Sequence, residues 1–291
     1  LRAAQAMHES VSGLGVALVE EARALREHGM TLPILVAEGF FDAEELKEAE
    51  RLSLEVVVHS LWQVDLLLAS PCPVRIWLKV NTGMNRLGFR PDIALQAAAQ
   101  LRAGGMAPVG VMSHFACADV SQDTYSEKQL LVAGQIAEQL MLPLSASNSA
   151  ALLRYPQSRA QRVRPGIMLY GSSPFDWQTA SELGLAVSHR FTARLIAINT
   201  VEAGESVGYG ATWTAAEPCQ VGVVAVGYGD GYPRHAPSGT PVAVNGVVTE
   251  LVGRVSMDML TVDVTGLDAR VGDEVEPVSY THLRAHETAC Y

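Results

Sequence analysis

Over its first 170 residues the chain alternates short apolar runs with amphipathic stretches, and this alternation constrains the fold more than any other feature. Continuous aliphatic or β-branched runs occupy residues 13–18, 32–36, 54–58, 75–80, 109–112, 143–146 and 166–170. Runs this short and unbroken read as strands buried on both faces, as in a parallel sheet covered by helices. Between them lie helical patterns such as residues 19–28, closed by Gly29, and residues 43–52, opened by Asp42 with Glu45 at capping-box spacing. The alternation predicts strand–helix–strand crossovers on one sheet. Seven strands suit either a doubly wound sheet or a TIM-like α/β barrel whose first strand is missing. The barrel is the expectation here. Leu1-Arg2-Ala3-Ala4 has neither an initiator Met nor a signal-peptide layout and reads as a beginning in mid-sequence.

The texture changes near residue 185. Strand-like runs at 191–200, 220–226, 240–244, 247–255 and 260–264 are separated by Gly, Pro and Asn turns, with no helical pattern between them. Asn245-Gly246 is a hairpin signal, because both residues accept the positive φ of a type I′ turn. The expected organisation is therefore an incomplete barrel domain over 1–184 and a mostly antiparallel all-β domain over 185–277. Residues 278–291 resemble the in-frame translation of a sequencing adapter and are set aside as a non-native tail. His282 and His286 stand at i, i+4, but no third ligand is near them in sequence, and no metal site is expected.

Charge narrows the choice of partner. A net charge of −10 and a pI near 5.3 leave no basic field for nucleic acid or anionic lipid. No apolar run approaches the ~20 residues of a membrane helix. Cys72, Cys117, Cys219 and Cys290 are scattered, as expected of thiols in a reducing cytoplasm. A small molecule is the expected partner.

The polar residues that could meet it cluster at predicted strand ends. Lys79 opens a loop that carries Gly83, Arg86, Gly88 and Arg90, cations among glycines where barrel enzymes place their active sites. Such a loop can equally be solvated surface. His114 directly follows the run at 109–112, although a lone histidine is more often packed than functional. Asn148 and Ser149, then Arg164 and Gly166, fall where many barrels hold a phosphate on backbone N–H groups, and Asn148 or Ser149 would serve equally as a helix N-cap. In the β domain, Tyr209 and Tyr228 stand among glycines, and Gly253-Arg254-Val255-Ser256-Met257-Asp258 forms a third polar loop.

Together these segments resemble the bacterial alanine racemases, with seven motifs in the family's order over about residues 13–275. The resemblance implies a pyridoxal 5′-phosphate (PLP) isomerase that interconverts L- and D-alanine with two bases on opposite faces of the reacting carbon. It implies a homodimer whose active sites are shared between subunits. Residue by residue, Tyr209 matches one catalytic acid/base and Arg86 an arginine that positions substrate and cofactor oxygens. Lys79 matches a lysine, carbamylated in some members, that orients that arginine. His114 matches a residue packed on the pyridine ring, and Arg164 matches the arginine at the pyridine nitrogen. Ser149, Gly166 and Ile167 match phosphate ligands, with Asn148 beside them. Met257 matches the residue whose N–H meets the substrate carboxylate, with Tyr228 and Asp258 in support. The family's PLP lysine lies upstream of Leu1, and none of Lys47, Lys79 and Lys128 stands in its context. These residues by themselves are therefore expected to be inactive. A broad-specificity amino-acid racemase of the same fold and a non-catalytic PLP-binding protein remain as alternatives. Nothing here separates D-alanine supply for peptidoglycan from D-alanine catabolism.

Overall fold

The computed structural model describes residues 1–188 and 190–278. The chain divides into two compact units, one from Leu1 to Gly166 and one beginning at Ile167. The division falls before the change of sequence texture near residue 185.

The first unit opens with helix α1 (Arg2–Met7) and then alternates strand and helix. The order is β1 (Leu14–Val16), α2 (Val19–Glu27), β2 (Ile34–Val36), α3 (Ala43–Arg51), β3 (Glu55–Val58), α4 (Leu61–Ala69) and β4 (Arg75–Lys79). It continues with α5 (Pro91–Ala103), β5 (Gly110–Met112), α6 (Tyr125–Leu140), β6 (Leu144–Ser145) and α7 (Ser149–Arg154). The six strands pair in sequential order and all in parallel, forming a half-barrel. Every residue of β2 and β3 is buried, as unbroken apolar runs require. The start of α3 differs in one bond from a capping box. Asp42 accepts from the N–H groups of Glu44 and Glu45, but the Glu45 carboxylate reaches back to the N–H of Phe41.

Register and the two-residue side-chain period define the inner face. Glu55 pairs with Leu35 and Arg75, Val57 with Trp77, Trp77 with Gly110, Lys79 with Met112, and Met112 with Ser145. Leu35, Val57, Trp77 and Met112 pack together on that face as a buried cluster.

The strand expected at 166–170 does not form. Ile167–Tyr170 is a 3-10 helix with no buried residue. Edge pairing on β6 comes earlier, through a parallel bridge between Ser145 and Arg162. A four-residue apolar run does not distinguish strand from helix by periodicity. Pro165, with no N–H to give, and Gly166, whose N–H goes to Ser149 Oγ, end the extended segment before that run begins.

The second unit contains β7 (Phe191–Val201), β8 (Ser206–Val207), β9 (Trp213–Thr214), β10 (Cys219–Val224), β11 (Pro241–Val244), β12 (Val247–Glu250), β13 (Leu260–Asp263) and β14 (Glu274–Val278). Six of these form an antiparallel sheet in the order β12-β11-β14-β7-β10-β13, and β8 and β9 make a separate hairpin. Asn245 and Gly246 turn between β11 and β12 with φ of 49° and 81°, as a type I′ turn demands. Leu195, Val224, Val244, Leu251, Leu260, Val262 and Val275 form the core. The run expected at 247–255 breaks after Glu250, and Leu251 bridges instead to Val262. The acidic β14 takes in Val278, the first residue of the segment set aside as a tail. Most of the supposed tail, residues 279–291 with His282 and His286, lies outside the described residues. Among the described residues no helix is long and apolar enough to cross a membrane, and no cluster of His, Cys, Asp and Glu could hold a metal.

Candidate active site

In the first unit the candidate residues gather at the C-terminal strand ends. Lys79 is the last residue of β4 and buried, His114 follows β5, and Ser149 opens α7 behind its cap Asn148, whose side chain accepts from the Ala151 N–H. Arg164 follows the segment bridged to β6. Its guanidinium donates to Ser145 Oγ, to the Ser113 carbonyl at 2.6 Å, and to His114 Nδ1 at 3.3 Å. A guanidinium only donates, so His114 accepts through Nδ1 and its ring is neutral. Burial, with the charges of Arg164, Arg86 and Lys79, pushes His114 down to about 3 and holds it in that form. Burial also lowers Arg164, to about 10, which leaves it protonated at neutral pH. Lys79 falls to about 8, first through burial and then through Arg86 and Arg164.

Among the described residues, Lys79, Arg86 and Arg164 form no ion pair with a carboxylate. Glu38 acts on Lys79 only at longer range, and three cations drawn together without an ion-paired acid call for an anion. Ser149 Oγ, accepting from the Gly166 N–H at 2.9 Å, adds a hydroxyl beside them. This donor set fits a phosphorylated, ring-bearing cofactor: cations and a hydroxyl for the anionic group, and a neutral imidazole for a flat face.

The unanswered charge has a measurable consequence. An unfolded lysine keeps its proton up to 10.5, whereas folded Lys79 loses it near 8. Between these values the unfolded state binds more protons, so stability should rise with pH; below about 8 the buried ammonium is a constant penalty. In cofactor-free protein, Lys79→Met should raise the melting midpoint at pH 7 and flatten the rise above pH 8. A lower midpoint at pH 7 would mean that the ammonium is well satisfied.

The sequence reading missed Gln129, a buried polar residue on the packed stripe of α6 with Ala133, Ile136 and Leu140. Its Nε2 donates to Thr82 Oγ1 at 3.2 Å and to the His114 carbonyl at 3.1 Å, and its Oε1 accepts from the Ala116 N–H at 2.9 Å. Thr82 in turn meets Ser113 Oγ at 2.7 Å, and Ser113 donates to the Val80 carbonyl. Gln129 thus ties the loop bearing Arg86 to the loop bearing His114. A glutamine on an otherwise apolar helical stripe was the available signal.

In the second unit three loops meet. Tyr209 projects from the turn between β8 and β9 and is 71% exposed. Its neighbour Gly208, at φ 78°, lies against the backbone of Arg254. The Tyr228 and Gly229 N–H groups donate to the Ser256 and Met257 carbonyls at 3.1 and 2.8 Å. A Cβ on Gly227 would stand 2.3 Å from both carbonyl oxygens, so only glycine permits this approach. Asp258 is exposed beside Gly229, and Arg234 lies over the Tyr228 ring. Met257 is exposed, and its N–H meets no acceptor among the described residues. Ile167 belongs to this unit and begins the 3-10 helix. Lys47 and Lys128 are exposed on α3 and α6.

Comparison with known proteins converges on one family. The family models described as alanine racemase, N-terminal domain, and alanine racemase, C-terminal domain, match residues 1–174 and 188–290. An alanine racemase from Alcanivorax borkumensis is 81% identical over 276 residues, covering 95% of this chain and 78% of the relative. One from Laribacter hongkongensis is 54% identical over 258 residues, covering 87% and 71%. Among solved structures, the biosynthetic alanine racemase from Pseudomonas aeruginosa superposes with a TM-score of 0.89 at 43% identity, over 96% of this chain and 79% of that one. The alanine racemase from Acinetobacter baumannii gives 0.86 at 37%, over 96% and 79%.

Proposed function

The chain belongs to the alanine racemase family, and on that premise we propose that it takes part in the interconversion of L- and D-alanine with PLP by a two-base mechanism in which Tyr209 is one base and the family's cofactor lysine, absent from these 291 residues, is the other. The observation that carries the reading is the cluster of Lys79, Arg86 and Arg164 at the strand ends, none ion-paired with a carboxylate among the described residues, beside a neutral His114. Ser149, Gly166 and Ile167, with Asn148 beside them, would hold the cofactor phosphate, His114 its ring face and Arg164 its pyridine nitrogen. PLP, when bound, supplies the electron sink that makes the substrate α-proton acidic.

The protein's own groups bind, orient and move protons. Arg164 stays protonated and does not hand its proton on, so it orients by donation alone. Arg86 and the Met257 N–H would hold the substrate carboxylate, and Lys79 would steer Arg86. Tyr228 and Asp258 support the Met257 loop. The Tyr209 hydroxyl would take or return a proton on one face, and the family's cofactor lysine would act on the other. The same reading assigns the enzyme to the cytoplasm, where its described cysteines are free thiols, and makes D-alanine available for peptidoglycan or for catabolism.

We further propose a homodimer in which Tyr209 and Met257 serve the partner's barrel. An exposed Tyr209 and an exposed Met257, on glycine-bearing loops of which one packs Gly208 against the backbone of Arg254, are what such a seam requires. Complementation tests this in full-length protein. Tyr209→Phe and Arg164→Met subunits, each inactive alone, should recover about a quarter of normal activity when mixed, because a mixed dimer holds one intact site of two. No recovery despite subunit exchange would place both residues in the same subunit's site.

A further inference from the structure

A second charged cluster lies on the inner face, below the strand ends. Glu55, 3% exposed at the start of β3, accepts three hydrogen bonds and forms an ion pair with Arg75. Trp77 Nε1 donates to its Oε2 at 2.7 Å, Arg75 Nε approaches its Oε1 at 3.0 Å, and Arg162 grips both oxygens, the longer bond being 3.2 Å. The Arg162 guanidinium also lies 4.8 Å from the Trp77 ring centroid. That ring rests on Gly110, where an added Cβ would stand 2.3 Å from it. Stability alone is a poor reason to bury such a pair, since apolar residues of equal volume often serve as well.

Arg162 is the bridge partner of Ser145, so it shares the inner face with Ser145, Met112 and Lys79. Arg164, two residues on, shares it too. Little backbone pairing fixes this segment on β6. The bridge includes the Arg162 N–H to the Leu144 carbonyl at 3.5 Å, and beyond it there is the Arg164 N–H to the Ser147 carbonyl at 2.8 Å. A slip of one residue would turn both arginines off the inner face.

We propose that Glu55 is a positioning residue for Arg164, acting through Arg162: the Glu55–Arg162 fork sets the register of residues 162–164 and thereby aims Arg164 at the cofactor site. The inference rests on the reading of Arg164 as a cofactor residue. Glu55 touches neither substrate nor cofactor. Its effect is carried by the planar bidentate fit of Arg162, which a lysine cannot reproduce.

The test is equilibrium PLP affinity of cofactor-free, full-length protein, read by absorbance titration beside the melting midpoint. Glu55→Gln should raise Kd about tenfold or more, Arg164→Lys likewise, and the double variant no more than about twofold beyond the worse single change, because both act on one element. Glu55→Asp, which keeps the charge, should recover part of the loss. A lowered midpoint with Kd within twofold for Glu55→Gln, while Arg164→Lys weakens binding, would overturn the inference and leave the reading of Arg164 standing. Multiplicative effects in the double variant would also overturn it. An unchanged Kd for Arg164→Lys would overturn that reading itself. If Glu55→Gln does not fold, Arg162→Lys is judged by the same criteria, since it keeps the charge but loses the fork.

Discussion

The 291-residue polypeptide, expressed by itself and given PLP and L-alanine, should form no D-alanine above the uncatalysed background. Its lysines are Lys47, Lys79 and Lys128. Lys47 and Lys128 stand exposed on α3 and α6, on elements that flank the sheet. Lys79 is at the site, where burial first and then the charges of Arg86 and Arg164 lower it to about 8. It is expected to orient Arg86, leaving the second face of the substrate carbon without a base. The outer edge of β1 has no strand partner among the described residues. Extending the N-terminus with a segment that carries the family's cofactor lysine should restore turnover. Borohydride reduction followed by peptide mapping locates the cofactor. Normal turnover by the 291 residues alone, with the adduct on Lys79, would reverse the assignment.

In the protein so restored, Tyr209→Phe should lower kcat by about 10²–10⁴-fold, the usual contribution of a positioned acid or base. The melting midpoint should hardly move. Tyr209 is 71% exposed in its own chain, so the lost hydroxyl leaves no buried partner unsatisfied there. The loss should fall on kcat and kcat/KM alike, because a proton-transferring group acts in the transition state and adds little to ground-state binding. Exchange of the substrate α-hydrogen with solvent deuterium sharpens the result. With one base removed, exchange from one enantiomer should survive while exchange from the other collapses. Equal loss for both enantiomers, or a loss below tenfold, would remove Tyr209 from that role.

Several features were legible in the sequence for physical reasons. Buried parallel strands must be short and apolar throughout, so the six that form, β1 to β6, stood out as unbroken runs. Asn245-Gly246 announced its hairpin because few other pairs accept two positive φ values. Most candidate residues were legible too, since Lys79 lies at the end of an apolar run and Arg86, His114 and Ser149 follow such runs, and parallel topology carries every strand end to the same side. Arg164 precedes the run at 166–170, and the bridge between Arg162 and Ser145 brings it there.

Other features only the tertiary structure decided. The run at 166–170 has an apolar composition compatible with either conformation. Its fate was set by Pro165 and by where the Gly166 N–H found a partner. Gln129 gains its meaning only because α6 brings it within reach of Thr82 and His114, and Glu55, inside an otherwise apolar run, only because β3 places it against Trp77 and Arg162. Their partners lie 47, 15, 22 and 107 residues away along the chain. Local sequence determined which segments become strands and helices, because period and turn chemistry are short-range. The meaning of a buried polar side chain depended on contacts that only packing brings together.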